Sequence, residues 1–263
     1  MSSSIAIHTH GVWQAPPLVL LHAFPLDSRM WAPMIGHLDG VAVLTVDAPG
    51  FGSSPPREEV GLECYARDLV AALAARGIER AVLAGLSMGG YVALAVAQQA
   101  PSLVAGLGLL NTKASADTEP ARARRMAMVA ALEAGEQDLA LGIADGLLGS
   151  LTRRTRPEVV AQVRHWLGQA APAGLIWAQR SMAQRPDRAA VLAALPSVIP
   201  ALVLHGAQDA LMTSQDAEAM AQLLRVPVTE AVGVGHLSAV EDPAQVAAEL
   251  AQLYRRALRA PTG

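Results

Sequence analysis

The pentapeptide Gly85-Leu-Ser-Met-Gly89 stands between two apolar segments of different kinds. Arg80–Leu86 is short and continuous, as a strand covered on both faces must be. Gly89–Ala100 is longer and very apolar, and Pro101 stops it, so it reads as a buried helix. A serine between them, with glycine two positions away on each side, has to sit on a tight strand-to-helix turn. A strand that runs straight into a helix reaches its next sheet neighbour by a crossover, so the sheet must be largely parallel with helices on its faces.

The rest of the chain repeats this rhythm. Pro17–His22 and Val41–Asp47 are further covered strands, separated by a helix that Asp27 or Ser28 can cap. Residues 48–61 carry Pro49, Gly50, Gly52, Pro55, Pro56 and Gly61 and form a loop. A helix is predicted over Leu62–Arg76, ended by Gly77, and another strand over Leu103–Leu110. From Asn111 to about Pro196 the periodicity is helical only, with starts marked by Thr118 before Pro120, by Pro157, by Pro172 and by Asp187. Strands return at Pro200–His205 and Val226–Val232, and Asp242-Pro243 opens a last helix running to about Leu258. The expected fold is therefore α/β: a mainly parallel central sheet flanked by helices, with an all-helical lid inserted. One domain spans 1–263, its core formed by 1–111 and 197–263 and its lid by about 112–196.

Ser87 on such a turn projects its hydroxyl above the sheet edge, over the positive end of a helix. An incidental serine in a small-residue turn is the bland alternative. A hydroxyl needs a base to become a nucleophile at neutral pH. Of the seven histidines, His236 follows the last strand in Val232-Gly-Val-Gly-His, where a loop can bring its imidazole to Ser87. Asp209, in His205-Gly-Ala-Gln-Asp after the second-last strand, reaches the same edge and can orient the base, or can merely cap a turn. No carboxylate follows the strand ending at Leu110, where Asn111 and Thr112 stand; Glu241 and Asp242 lie too close behind the histidine, and Asp242 has a capping role. Two N–H groups are expected to receive an oxyanion, those of Met88 and, in the loop after the first covered strand, Phe24, because Pro25 has none. His22 reads as a loop brace, and His8 and His10 as exposed strand positions lacking an acidic partner. His37 ends a surface helix, and His165 belongs to the lid.

Composition narrows the functions. Only 16% of residues are charged and the net charge is −3, which leaves no basic footprint for nucleic acid or for a membrane surface. One cysteine, Cys64, permits neither an internal disulfide nor a multi-cysteine metal site, and is expected to be a buried thiol. Runs such as Leu18–Leu21 fall far short of the roughly 20 apolar residues a membrane helix needs. The N-terminus reads as no secretory signal, so a cytoplasmic protein is expected.

Together these residues resemble the α/β-hydrolase superfamily over essentially the whole chain. His22-Ala-Phe-Pro-Leu-Asp27 looks like its oxyanion segment, with Ala23 where glycine is commoner. Asp47-Ala-Pro-Gly-Phe-Gly-Ser-Ser54 looks like its D-x-x-G-x-G-x-S loop, and Ser87, Asp209 and His236 fall in its triad order. Within the superfamily the chain is most similar to small bacterial carboxylesterases and 3-oxoadipate enol-lactonase-like proteins. The resemblance implies hydrolysis of a small carboxylic ester or lactone through an acyl-enzyme on Ser87, with no metal and no cofactor. Serine at position 87 disfavours the relatives that use aspartate there. Trp166, Trp177, Met126, Met128, Met182 and Met212 are candidates for an apolar substrate pocket, and a lid core would use most of them equally well. Trp166, Trp177 and Met212 are the expected substrate contacts. The basic runs Arg122, Arg124, Arg125 and Arg153, Arg154, Arg156 read as solvated faces. A non-hydrolytic or C–C bond-cleaving enzyme on the same triad, and a ligand-binding member of the fold, remain as alternatives. Whether lid helices pair two chains as a homodimer is left open.

Overall fold

The computed structural model describes residues 5–12, 16–136 and 138–260. Its strands are β1 (Ile7–His10), β2 (Leu18–Leu21), β3 (Val43–Val46), β4 (Ala81–Leu86), β5 (Val104–Leu110), β6 (Ala201–Gly206) and β7 (Val228–Ala231). They form one seven-stranded sheet in the order β1-β3-β2-β4-β5-β6-β7. All neighbours are parallel except β1, which runs antiparallel to β3 at the edge. From β2 the chain first steps outward to β3 and then returns past β2 to β4. That reversal opens a crevice at the carboxyl ends of β2 and β4, where sheets of this class bind ligands.

The covering helices follow their local signals. After β2 the expected helix is short: a 3-10 turn at Ser28–Trp31, capped by Asp27, leads into α1 (Ala32–Ile35). Helix α2 (Leu62–Ala74) ends just before Gly77, which takes φ +71° while Ile78 N–H closes on the Leu73 carbonyl at 3.0 Å. Helix α3 (Met88–Gln99) is buried along ten of its residues, as the apolar run required. Between β5 and β6 lie α4 (Glu119–Glu133), α5 (Leu139–Gly142), α6 (Ala144–Leu147), α7 (Ser150–Thr155), α8 (Pro157–Leu167), α9 (Pro172–Gln184) and α10 (Ala189–Ala194). Prolines 157 and 172 occupy the first turns of α8 and α9. Then come α11 (Ser214–Leu224), α12 (Ser238–Glu241) and α13 (Pro243–Arg259), the last capped by Asp242 accepting from Gln245 N–H at 3.0 Å.

The helical insertion is seated on the loop after β3 and on helices α2 and α3 at defined points. A Cβ at Gly174 in α9 would lie 2.3 Å from the Gly50 carbonyl oxygen, so two backbones touch there without side chains. Trp177 donates from Nε1 to the Glu59 carbonyl at 3.0 Å and meets Tyr65 edge-on at 6.1 Å. Inside the insertion Asp117 pairs with both Arg125 (2.6 Å) and Arg185 (2.8 Å), and Arg185 stacks 4.0 Å from the Tyr91 ring centre. Two arginines depart from the expected solvated faces. Arg125 turns inward to Asp117, and Arg156 donates to the Glu241 carbonyl. No helix among the described residues is long and apolar enough to cross a membrane.

Candidate active site

Ser87 takes φ +54° and ψ −113° between β4 and α3, a conformation an L-residue holds only when its surroundings impose it. The surroundings are visible. A Cβ at Gly85 would stand 2.1 Å from the Gly89 carbonyl oxygen, and one at Gly89 would stand 1.9 Å from that of Leu21. The turn can therefore close only with glycine at both places. Ser87 N–H bonds to the Leu110 carbonyl at 2.9 Å, and the Thr112 hydroxyl donates to the Ser87 carbonyl at 2.8 Å. The serine is thus clamped between β5 and α3.

One strand beyond β5, Asp209 follows β6 and points its fully buried carboxylate at His236. The His236 Nδ1–Asp209 Oδ2 distance is 2.9 Å, and an ionised carboxylate only accepts, so Nδ1 carries the proton and Nε2 is the basic nitrogen. Asp209 Oδ1 accepts from the N–H groups of Leu211 (2.8 Å) and Met212 (3.1 Å). Burial pushes the Asp209 carboxyl up, but the bonds from His236, Asn111 and Leu211 outweigh it and hold the group below the usual carboxylate range.

Sequence reasoning passed over Asn111 as an empty acid position. Its Nδ2 donates to Asp209 Oδ2 at 2.9 Å and to the Gly235 carbonyl at 3.1 Å, and its backbone is left-handed at φ +44°. The available signal was an asparagine directly after a buried strand, a residue type that tolerates that conformation.

The two expected oxyanion donors lie at the crevice between β2 and β4. Met88 is the first residue of α3, so its N–H has no carbonyl within the helix. Among the described residues neither it nor the Phe24 N–H is engaged by a hydrogen bond. His22 braces this loop: its Nε2 accepts from Ala48 N–H at 2.9 Å, and its Nδ1 donates to the Ala23 carbonyl at 3.0 Å. Full burial, the leading influence, lowers its pKa and keeps it neutral in that tautomer. Asp47 receives the N–H groups of Ser28 (2.8 Å) and Ser53 (2.9 Å), which ties the two loops together. Here one expectation is corrected: His8 has an acidic partner, with Nε2 3.0 Å from Asp47 Oδ2, because β1 runs beside β3 and brings His8 to its end. His10 meets Thr45 Oγ1 at 3.0 Å.

Of the proposed substrate contacts, Trp166, Trp177 and Met212 are all buried within the continuous apolar core. Met212 is the one bonded to Asp209, through its backbone.

A family profile described as the alpha/beta hydrolase family matches residues 18–249. The chain is 27% identical to 3-oxoadipate enol-lactonase 1 of Acinetobacter baylyi, over 91% of this chain and 89% of that protein. It is 30% identical to the 2-succinyl-6-hydroxy-2,4-cyclohexadiene-1-carboxylate synthase of Salmonella heidelberg, over 95% and 98% respectively. Among solved structures, a thermophilic esterase from Thermogutta terrifontis with malate bound superposes with a TM-score of 0.89 at 33% identity, covering 96% of this chain and 93% of that one.

Proposed function

The chain belongs to the alpha/beta hydrolase family, and from that premise we propose that it is a serine hydrolase cleaving small, partly apolar carboxylic esters or lactones. The observation that carries the reading is the buried His236–Asp209 pair at 2.9 Å, standing on the same sheet edge as the strained Ser87 turn. Ser87 Oγ would attack the ester carbonyl while His236 Nε2 takes its proton. The developing oxyanion would be received by the N–H groups of Met88 and Phe24, supported by the N-terminus of α3. His236 would return the proton to the leaving alkoxide and then activate the water that releases the acid. Asp209 would keep the proton on Nδ1 and stabilise the imidazolium. The apolar part of the substrate would lie under the insertion, acting as a lid, on the side of Met212, whose backbone N–H is held by Asp209.

The test compares wild type with Ser87→Ala on p-nitrophenyl esters of increasing acyl length and on a set of lactones. The expected result is turnover by wild type and a loss in kcat on the order of 10⁴ to 10⁶ in the variant. Equal rates in the two proteins would remove the reading.

The Salmonella relative favours one second reading, since its name is that of a synthase. Under that reading His236 would act on the substrate directly, and Ser87 would form no acyl-enzyme. Trapping an acyl group on Ser87 by mass spectrometry separates the two.

A further inference from the structure

His236 is held by more than its acid. Its backbone N–H and that of Leu237 both bond to the Leu147 carbonyl at 3.2 Å, so the loop carrying the base is joined to the end of α6 in the insertion. Glu241 reinforces the same joint. This residue is 3% exposed, and its two carboxylate oxygens go to two different segments. Oε2 accepts from Gly149 N–H, at the start of α7, at 2.8 Å. Oε1 accepts from Gly235 N–H, directly before the base, at 3.1 Å. Arg156 of the insertion donates to the Glu241 backbone carbonyl.

Three glycines let these segments approach. A Cβ at Gly235 would lie 2.2 Å from Gly149 N, one at Gly149 2.9 Å from Gly235 N, and one at Gly206 2.1 Å from the Gly235 carbonyl oxygen. Gln208, next to the acid, closes the ring. Its N–H bonds to the Val234 carbonyl at 2.7 Å, and its Oε1 accepts from Ser150 Oγ and Leu151 N–H at 3.1 Å each. The acid loop, the base loop and the insertion therefore meet at one point.

We propose that Glu241 is a positioning residue for the reaction, coupling the placement of His236 to the seating of the helical insertion. This rests on His236 being the general base. The reason is geometric: Gly235, the residue before His236, is fixed by Glu241 on its N–H and by Asn111 on its carbonyl, so releasing the first loosens the loop that carries the imidazole. Only a carboxylate can serve, because a neutral amide offers one acceptor and would turn its NH2 against an N–H. A displacement of about 1 Å in a catalytic group costs about 10²-fold in rate.

The experiment uses the full chain as wild type, Glu241→Gln and Gly149→Ala. Labelling with a fluorophosphonate counts competent sites, and kcat on a p-nitrophenyl ester is expressed per labelled site. The expected result is a fall of about 10- to 100-fold in kcat per site in both variants, with KM of Glu241→Gln moving far less. A purely structural role would reduce the number of labelled sites and leave kcat per site unchanged. Retention of kcat per site within about twofold of an active wild type overturns the proposal. So does failure of both variants to fold, which would make the joint a requirement of the fold. A wild type that neither turns over ester nor takes the label at Ser87 is a different result, and removes the serine hydrolase reading.

Discussion

Asn111 Nδ2 lies 2.9 Å from Asp209 Oδ2, the same oxygen that accepts from His236 Nδ1 at 2.9 Å. Asp209 is thus shared between His236 and an amide directly after the neighbouring strand β5, and the amide also fixes the Gly235 carbonyl. Asn111→Gly keeps the backbone at φ +44° unstrained while removing these bonds. Losing both bonds frees the carboxylate and the loop before His236, and misplacing a reacting group by about 1 Å costs about 10²-fold, so kcat is expected to fall by about 10-fold or more. Steady-state kinetics on an activated ester checks it, and an unchanged kcat sinks the assignment.

Gly85→Ala and Gly89→Ala test the turn itself. The added methyl would meet backbone oxygens at 2.1 Å and 1.9 Å, one in helix α3 and one in strand β2, and backbone so bonded cannot step aside. Each variant should lose stability at or above the upper end of the roughly 1–3 kcal/mol seen for overpacking. Calorimetry reads this as a clear drop in Tm; a wild-type Tm in either variant would mean the turn is looser than described.

Acid sensitivity should trace in part to Asp117. Burial pushes its carboxyl up, but the bonds and charges of Arg125 and Arg185 outweigh this and hold it low. A depressed folded-state pKa gives stability that is fully present above the unfolded value, about 3.9. That stability is lost as pH falls through the folded value. Asp117→Asn should therefore be much less stable than wild type at pH 7, with the gap closing toward pH 2. Urea titrations across that range measure the gap, and a gap independent of pH would contradict the assignment.

Cys64 should be silent in the native protein. It is 3% exposed, its Sγ donates to the Gly61 carbonyl at 2.9 Å, and burial pushes its thiol up. A disulfide-exchange dye should find no thiol per native chain and one per chain in guanidinium. Rapid native labelling would place the residue at the surface.

What could be read in the sequence is what short stretches dictate. The strand–turn–helix around Ser87, the cap at Asp242 and the stop at Gly77 each depend on a few adjacent residues, and each recurs in the structure within a residue or two. The parallel sheet followed from the crossovers, but the antiparallel edge strand β1 did not, since nothing local distinguishes it. Contacts made across the chain stayed hidden. Asn111 meets Asp209 over 98 residues, Glu241 meets Gly149 over 92, and His8 meets Asp47 over 39. Position alone had set Glu241 aside as too near the histidine to orient it. In the fold that nearness lets it reach the His236 loop and the insertion together.

The meeting of Gly50 and Gly174 carries a consequence for how this scaffold can be altered. The two positions touch through backbone alone, so neither has a side chain whose exchange could retune a ligand preference. Any library built on the insertion gains nothing by randomising them and forfeits most clones in which they change. Diversity belongs at partly exposed neighbours such as Ile176, where new shapes can be sampled while the Gly50–Gly174 contact keeps the insertion of every clone seated on the core.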